Sequence, residues 1–392
     1  MRVDADWRAN IDWDAMRTYR INRLVEGIER AGLDALLMTR LDAVRYATSF
    51  RPVYSMWFHG TRHIVIVTKA GHVKFLVASG DYDRVRTTMP WIQDVTPFPF
   101  VIAQGLPTVV KALKELGLSK GKVGVDMLPF SLYEPLSEEL PDCCFVDGLS
   151  ALDFARQIKC KEEIVCLRQA AEVADIGMRT ALSNLKEGAT EIEVAAKVCE
   201  AMVAAGSEDI TYLPLVESGE HSWLGFKVPT ERRLKDGDMV YIDTGICIVN
   251  GYNADIARMP VVGKASSLQA KIYKTCYEML QRGIEQLVPG NTTTDVLKAA
   301  EKVAEDAGFG EYVYFGILGH GVGTDLHEAP TIGDRVTGID EGQTLEAGMV
   351  VALEPGILVP GVGGGHQEDM VLITENGPEV LTKAPFDEDL LG

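Results

Sequence analysis

The chain has 392 residues, of which 46% are hydrophobic and 24% are charged, as in a globular protein with a sizeable core and room for two or three domains. Asp and Glu number 57 against 38 Lys and Arg, and the formal net charge of −19 argues against a nucleic acid or an anionic membrane surface as a partner. The first residues lack the apolar segment of a secretory signal, and no later stretch has the length of a membrane span. The seven cysteines include no Cys-x-x-Cys pair, which favours reduced thiols over a zinc knuckle. We therefore expect a cytoplasmic protein of two domains.

The first 156 residues predict an α/β domain. Apolar residues at helical spacing predict a helix over residues 17–31, and an apolar run predicts a buried strand over Ala35–Met38. The segment Lys69-Ala70-Gly71 predicts a hairpin turn. Further strands are predicted over residues 62–68, 72–78, 122–126 and 144–147. Nothing here carries recognisable chemistry, and His59 and His63, as loop histidines without a partner motif, fit a structural or solvated role better than a functional one.

A repeated helical segment follows the domain boundary, which we place between residues 156 and 157. The charged stretch from Gln157 opens a long helix to about Leu185. Residues 185–190 and 287–292 share the pattern Leu-x-x-Gly-x-Thr at an offset of 102, and each copy leads into a helix that ends at Ala-Gly. Thr190 also precedes a glutamate by three residues, the spacing of a capping box. The second half is therefore predicted to be an internal duplication.

A second repeat places an acidic residue at the end of two apolar strands. Residues 234–245 and 345–356 share Leu, Gly, Val, an acid and Gly at an offset of 111, and the acids are Asp243 and Glu354. A further acid follows each copy, Asp255 after twelve residues and Glu368 after fourteen. Four gathered carboxylates repel one another unless cations neutralise them, whereas the alternative is four solvated turn residues. The repeat favours the gathered cluster.

The loop between Asp243 and Asp255 contains Asn250-Gly251, which predicts a hairpin turn. A two-residue turn alone would set Asp243 opposite Arg258. The connection must therefore be longer, or bulged, to bring the two aspartates together.

His320 lies between two glycines, in a segment between the two acid pairs. A Gly-His-Gly loop by itself is more often a turn than a ligand site. Beside four carboxylates, however, the imidazole supplies a fifth ligand, and an oxygen-rich set with one nitrogen suits Mn²⁺, Fe²⁺, Co²⁺ or Zn²⁺.

These five residues, in this order, resemble the pita-bread metallopeptidase superfamily, which includes aminopeptidase P, prolidase, methionine aminopeptidase and non-peptidase relatives. The resemblance covers nearly the whole chain. It implies an α+β fold in which a creatinase-like N-terminal α/β domain (residues 1–156) precedes a pseudo-twofold pita-bread catalytic domain (residues 157–392).

The resemblance also implies a role for each ligand. Asp243 would be a terminal ligand of one divalent ion, His320 and Glu354 would be terminal ligands of a second, and Asp255 and Glu368 would bridge both. Manganese is the expected metal, with cobalt, iron or zinc as alternatives.

The implied activity is that of an Xaa-Pro dipeptidase or aminopeptidase P, in which a metal-bridging hydroxide attacks the C–N amide bond. Glu354 would carry the proton, and His327 would donate a hydrogen bond to the substrate carbonyl or its oxyanion.

Two positions depart from the peptidase pattern. Peptidases of this type usually carry a histidine seventeen residues before the first metal aspartate and another four before the metal histidine, where this chain has Phe226 and Gly316. Phe226 would make that side of the substrate site apolar, and His221 or Lys227 are candidates to replace the missing polar group.

These departures keep other functions open. The alternative substrate is a small non-peptide, as in creatinase, ectoine hydrolase or dimethylsulfoniopropionate lyase. A third possibility is an inactive pita-bread module that binds a protein, although such a module has no need for four clustered acids. The resemblance further implies a homodimer, with Tyr54–His63 as a candidate lid over the partner's site.

Overall fold

The computed structural model describes residues 11–51, 63–99, 101–225, 227–244, 247–314, 316–333 and 342–392. It contains two compact units, Asp12–Arg156 and Gln157–Gly392, and Ile11 belongs with the second. All seven cysteines are free thiols. Among the described helices, none combines the length and the apolar character needed to cross a membrane.

The N-terminal unit alternates helices and strands. In chain order these are α1 (Trp13–Arg30), β1 (Ala35–Met38), α2 (Leu41–Thr48), β2 (Ile64–Thr68), β3 (Val73–Ala78), α3 (Tyr82–Thr88), β4 (Asp94–Phe98), α4 (Leu106–Glu115), β5 (Lys122–Val125), α5 (Phe130–Glu139), β6 (Cys144–Asp147) and α6 (Leu149–Gln157). The strands form one mixed sheet in the order β4-β3-β2-β1-β5-β6. The central strand β1 is antiparallel to β2 and parallel to β5. Two separate clusters of buried apolar side chains pack within this unit.

Local chemistry explains where two of these elements begin. The Asp12 carboxylate accepts a hydrogen bond from the Ala15 amide at 2.9 Å, so α1 begins at Trp13, four residues before the predicted start. The β2–β3 hairpin turns at Gly71, whose φ of 78° suits glycine.

His63 is buried, and its Nδ1 accepts a hydrogen bond from the Ala78 amide at 3.2 Å. This contact gives His63 a structural role within the unit.

The C-terminal unit pairs helices with short strands. In chain order these are α7 (Lys161–Asn184), α8 (Glu191–Ala205), β7 (Leu215–Ser218), β8 (Val240–Asp243), β9 (Ile248–Val249), β10 (Tyr252–Asn253), β11 (Ala257–Arg258), α9 (Ser267–Ile284), α10 (Thr293–Ala307), β12 (Gly319–Gly321), β13 (Glu328–Ile332), β14 (Val350–Leu353), β15 (Gly356–Val359), β16 (Gly363–His366), β17 (Asp369–Thr374), β18 (Gly377–Val380) and α11 (Glu388–Leu391). Two sheets carry most of the strands, in the orders β11-β8-β7 and β13-β12-β14-β17-β18. The hairpin β15–β16 is paired separately.

The internal repeat has a structural counterpart. The helix pairs α7–α8 and α9–α10 are the two copies, and capping boxes start both α8 and α10, at Thr190 and Thr292. Isolated bridges join Thr190 to Arg233 and Thr292 to Thr344, so the two sequence offsets of 102 and 111 recur in the backbone pairing. The two copies therefore present β8 and β14, the strands that lead to Asp243 and Glu354, in equivalent places.

Candidate metal centre

Each of the five predicted ligands lies in or beside a strand of the C-terminal unit, and all five side chains are buried. Asp243 ends β8, Asp255 lies between β10 and β11, His320 is the middle residue of β12, Glu354 follows β14, and Glu368 precedes β17. The backbone amide of Glu368 donates to the carbonyl of Ala257 at 3.1 Å, which ties the segment before β17 to β11.

The turn between the two aspartates is both tight and irregular. Asn250 and Gly251 have φ values of 55° and 85° and join β9 to β10 in a two-residue turn. Further along, Asp243 pairs with Ala257 rather than with Arg258, which is a shift of one residue relative to the β9–β10 register. The bulged connection that the sequence requires is therefore present.

His320 lies at the centre of the cluster. Its Nε2 is 3.6 Å from Oδ2 of Asp255 and 3.7 Å from Oε1 of Glu354. One ligand atom from each of Asp255, His320 and Glu368 lies within 4.8 Å of the others. Nδ1 of His320 is 3.0 Å from the carbonyl oxygen of Gly321, to which it donates, so Nε2 is the nitrogen that faces the carboxylates.

Burial and mutual repulsion disturb the acid–base equilibria of these groups. Burial, and then the charges of neighbouring acids, raise the pKa values of Asp243 and Glu368 well above the ordinary range. Burial would lower the pKa of His320, but the contact with Asp255 and the charge of Glu354 raise it to about 9. Without a cation, the cluster therefore retains protons that solvated side chains would lose.

Three carboxylate oxygens in the cluster are left without a hydrogen bond. Oδ1 of Asp243, Oδ1 of Asp255 and Oε1 of Glu368 are buried and have no hydrogen-bond partner within the described ranges. A buried polar atom without a partner is costly, whereas a divalent cation uses such oxygens as ligands. The donor set of four carboxylates and one imidazole therefore fits divalent metal ions.

His366 is a residue of the cluster that the sequence did not reveal. Its Nδ1 lies 3.1 Å from Oε2 of Glu354 and carries the proton, because a carboxylate only accepts. Burial would raise the pKa of Glu354, but this hydrogen bond and the neighbouring histidines lower it. His366 pairs with Gly356 across the β15–β16 hairpin, where a Cβ on Gly356 would lie 2.8 Å from Nε2 of His366. The glycine two residues after Glu354 thus allows the imidazole to approach.

Two tyrosines hold the other end of the cluster. The hydroxyl groups of Tyr212 and Tyr241 donate to Oδ2 of Asp243 at 3.2 and 3.3 Å. The ring of Tyr241 also lies 5.1 Å from that of His366. The sequence does place His366 two residues before Glu368, but spacing along the chain does not show that its ring turns towards Glu354.

His327 lies at the edge of the site. Its ring centroid is 4.2 Å from that of His320, and its side chain keeps an exposed edge. Partial desolvation and the charge of His320 lower the pKa of His327. It is therefore a neutral imidazole near neutral pH, with one N–H to donate.

The predicted substrate residues are less well placed. Phe226 lies outside the described residues, as do His59 and the rest of the proposed lid up to residue 62. His221 is half-buried at the end of a short 3₁₀ turn, and its Nδ1 has no hydrogen-bond partner within the part of the chain that the structure describes. The backbone amide of Lys227 donates to Oε1 of Glu217.

Comparisons with known proteins agree with this architecture. Residues 165–375 match metallopeptidase family M24, and residues 20–158 match the creatinase/prolidase N-terminal domain. The Xaa-Pro dipeptidase of Pyrococcus furiosus is 31% identical over 93% of this chain and 97% of its own length. The solved structure of an Xaa-Pro dipeptidase from Bacillus anthracis is 30% identical, with a TM-score of 0.81 over 95% of this chain and 99% of its own. The prolidase from Pyrococcus horikoshii OT3 is 29% identical, with a TM-score of 0.81 over 94% of this chain and 99% of its own.

These matches confirm the predicted fold, a creatinase-type N-terminal domain followed by a pita-bread domain, and they confirm that the protein is a hydrolase. The chain belongs to metallopeptidase family M24.

Proposed function

We propose that this protein is a dinuclear metal-dependent dipeptidase that cleaves the amide bond before proline in Xaa-Pro substrates. The observation that carries the proposal is the buried cluster of four carboxylates and His320, in which three carboxylate oxygens have no hydrogen-bond partner among the described residues. The names of the relatives, Xaa-Pro dipeptidase and prolidase, supply the substrate class.

In this proposal Asp255 and Glu368 would be ligands shared by both ions, Asp243 would hold one ion, and His320 and Glu354 would hold the other. The proximity of Asp255, His320 and Glu368 supports a central position for the two shared acids. When bound, a pair of divalent ions supplies Lewis acidity towards the carbonyl and activation of a water molecule for attack. Manganese is our proposed metal because it accepts an oxygen-rich ligand set.

The residues around the cluster have separable tasks. Glu354 has a lowered pKa, so its carboxylate is ionised and can accept a proton, while His366 fixes one of its oxygens. His327, neutral and partly exposed beside His320, can donate a hydrogen bond to the carbonyl oxygen of the substrate.

A second candidate is hydrolysis or elimination on a small non-peptide molecule, and the chain's departures at residues 226 and 316 favour it. Phe226 cannot donate a hydrogen bond to a peptide, and Gly316 brings no side chain. A phenylalanine that lined the substrate site would suit a compact substrate with methyl or methylene surface.

The test is a substrate panel on protein loaded with manganese. Proline release from Xaa-Pro dipeptides is measured beside turnover of creatine, ectoine and dimethylsulfoniopropionate, with chelator-treated protein as the control. We expect proline release that depends on metal, with about two ions per chain by elemental analysis. Turnover of a non-peptide at least ten times faster than that of every dipeptide would transfer the proposal to the second candidate.

We also propose a cytoplasmic homodimer, by analogy with the family. Sedimentation of the full chain at micromolar concentration tests the dimer, and a monomer there would rule it out.

A further inference from the structure

The ring of Tyr314 covers Gly316. A Cβ built on Gly316 would lie 2.6 Å from both Cζ and Oη of Tyr314, which is closer than real side chains approach. Any side chain at residue 316 would therefore have to displace the phenol. The space that a side chain at residue 316 would take is therefore occupied by the ring of Tyr314.

Both the backbone and the ring of Tyr314 contact residues next to the carboxylate cluster. The Tyr314 amide donates to the carbonyl of Gly356 at 2.9 Å, two residues after Glu354. The ring centroid of Tyr314 lies 4.5 Å from that of His366, the imidazole that bonds to Glu354. The side chain is half-buried.

The phenol is a permanent hydrogen-bond donor under working conditions. An ordinary tyrosine hydroxyl has a pKa of about 10, so the phenol is protonated near neutral pH. A neutral O–H at the edge of a cluster of carboxylates offers a substrate oxygen a donor that the acids themselves cannot provide.

We propose that Tyr314 is a substrate-contacting residue, and that its hydroxyl donates a hydrogen bond to an oxygen atom of the bound substrate from the space above Gly316. The inference rests on the proposed dipeptidase function. Two oxygens have the required chemistry, the carbonyl of the cleaved amide and the carboxylate of the proline residue.

The first experiment compares Tyr314→Phe with wild type on the best Xaa-Pro dipeptide, under manganese loading. The substitution removes one oxygen and leaves the ring in place over Gly316. Loss of one hydrogen bond to a charged acceptor corresponds to a decrease in kcat/KM of about 10- to 100-fold. A loss in kcat identifies the carbonyl, because that bond strengthens only in the transition state, whereas a rise in KM alone identifies the carboxylate.

The matched control is Tyr312→Phe. Tyr312 lies two residues away, is 39% exposed and packs beside Phe309, and the substitution again removes a single phenol oxygen. We expect its kcat/KM to stay within twofold of wild type.

A second experiment tests the spatial claim without measuring activity. Gly316→His should lower the melting temperature because the new side chain meets the ring of Tyr314. In a Tyr314→Ala background, adding Gly316→His should lower the melting temperature much less than it does in the wild-type background, because the ring is no longer there. A single Gly316→His variant as stable as wild type would show that the ring does not fill this space and would overturn the inference.

The outcomes separate the two proposals. A wild-type protein that binds two ions but releases no proline from any dipeptide overturns the proposed function, and the role of Tyr314 in it falls as a consequence. A wild-type dipeptidase whose Tyr314→Phe variant keeps kcat/KM within twofold overturns the inference alone.

Discussion

Nδ1 of His366 lies 3.1 Å from Oε2 of Glu354, and the imidazole belongs to the strand that pairs with the segment directly after this glutamate. The contact fixes the glutamate's orientation and keeps its pKa low. We predict that His366→Ala weakens manganese binding by about 10- to 100-fold, the usual effect of losing a residue that supports a ligand. The affinity is measured by competition with a metal-binding dye.

The control for this prediction is His72→Ala, which removes an exposed histidine from the N-terminal unit. It should leave the affinity unchanged. His366→Gln should recover part of the loss, since its amide can still donate to Glu354. Unchanged affinity in His366→Ala would refute the orienting role.

The second prediction concerns the acids proposed to contact both ions. Asp255→Ala and Glu368→Ala should each release at least one of the two ions and reduce turnover below a tenth of wild type, because in our proposal each carboxylate would be a ligand of both metals. Metal content per chain is measured after gel filtration. Glu375→Ala, which removes an exposed carboxylate after β17, is the matched control. Two retained ions in either variant would contradict the bridging assignment.

The third prediction is a pH dependence of the metal-free protein. The pKa values of Asp243 and Glu368 are raised well above the ordinary range, and that of His320 is raised to about 9. The folded state thus holds protons that the unfolded state has lost, and folding stability falls as pH rises between about 5 and 9. We expect the melting temperature of metal-free protein to decrease from pH 5.5 to pH 8.

Loaded protein should show a smaller decrease over the same range, because bound ions replace those protons. The difference between the two slopes is the quantity to compare. Equal slopes would mean that the clustered acids are not the source of the effect.

The sequence predicted which residues gather in the buried cluster better than it predicted their surroundings. The offsets of 102 and 111 identified the repeat, and the repeat selected Asp243 and Glu354 from many acidic residues. His366 and Tyr241 could not be found in this way, because their contacts depend on how β16 lies against β15 and β8 rather than on spacing along the chain. In the sequence, Gly316 is only the absence of the histidine that the peptidases carry, and its distance to the ring of Tyr314 is what shows that the space is occupied.

The fourth prediction concerns Phe226, which has the position where the peptidases carry a histidine. A phenylalanine side chain cannot donate a hydrogen bond to a peptide carbonyl, so wild-type kcat/KM for Xaa-Pro dipeptides should stay below roughly 10⁴ M⁻¹s⁻¹, the lower edge of the usual enzyme range. Phe226→His should raise dipeptide hydrolysis, and it should lower the turnover of any non-peptide substrate. A wild-type value well above that limit would show that the missing histidine does not matter.

The last prediction concerns Glu217, a buried residue on β7 that pairs with Tyr241 on β8. One of its oxygens accepts the amide hydrogen of Lys227, while the other has no hydrogen-bond partner within the described segments. Burial, and then the nearby charge of Glu191, raise the pKa of Glu217 to about 7. The folded state therefore holds a proton on Glu217 that the unfolded chain loses at lower pH. The stability that this protonation contributes is lost as pH rises from about 4.5 through 7.

Glu217→Gln keeps the acceptor for Lys227 and removes the charge. Relative to wild type, the free energy of unfolding of the variant should rise by about 2 kcal/mol from pH 5 to pH 8, because each unit by which the pKa of Glu217 is raised corresponds to 1.36 kcal/mol. Denaturant unfolding at both pH values measures this gain in the loaded protein. Glu187→Gln, which neutralises an exposed glutamate, should show no such dependence on pH. A Glu217→Gln variant that loses stability relative to wild type as pH rises would show that the buried carboxylate is stabilised by a charge on the protein.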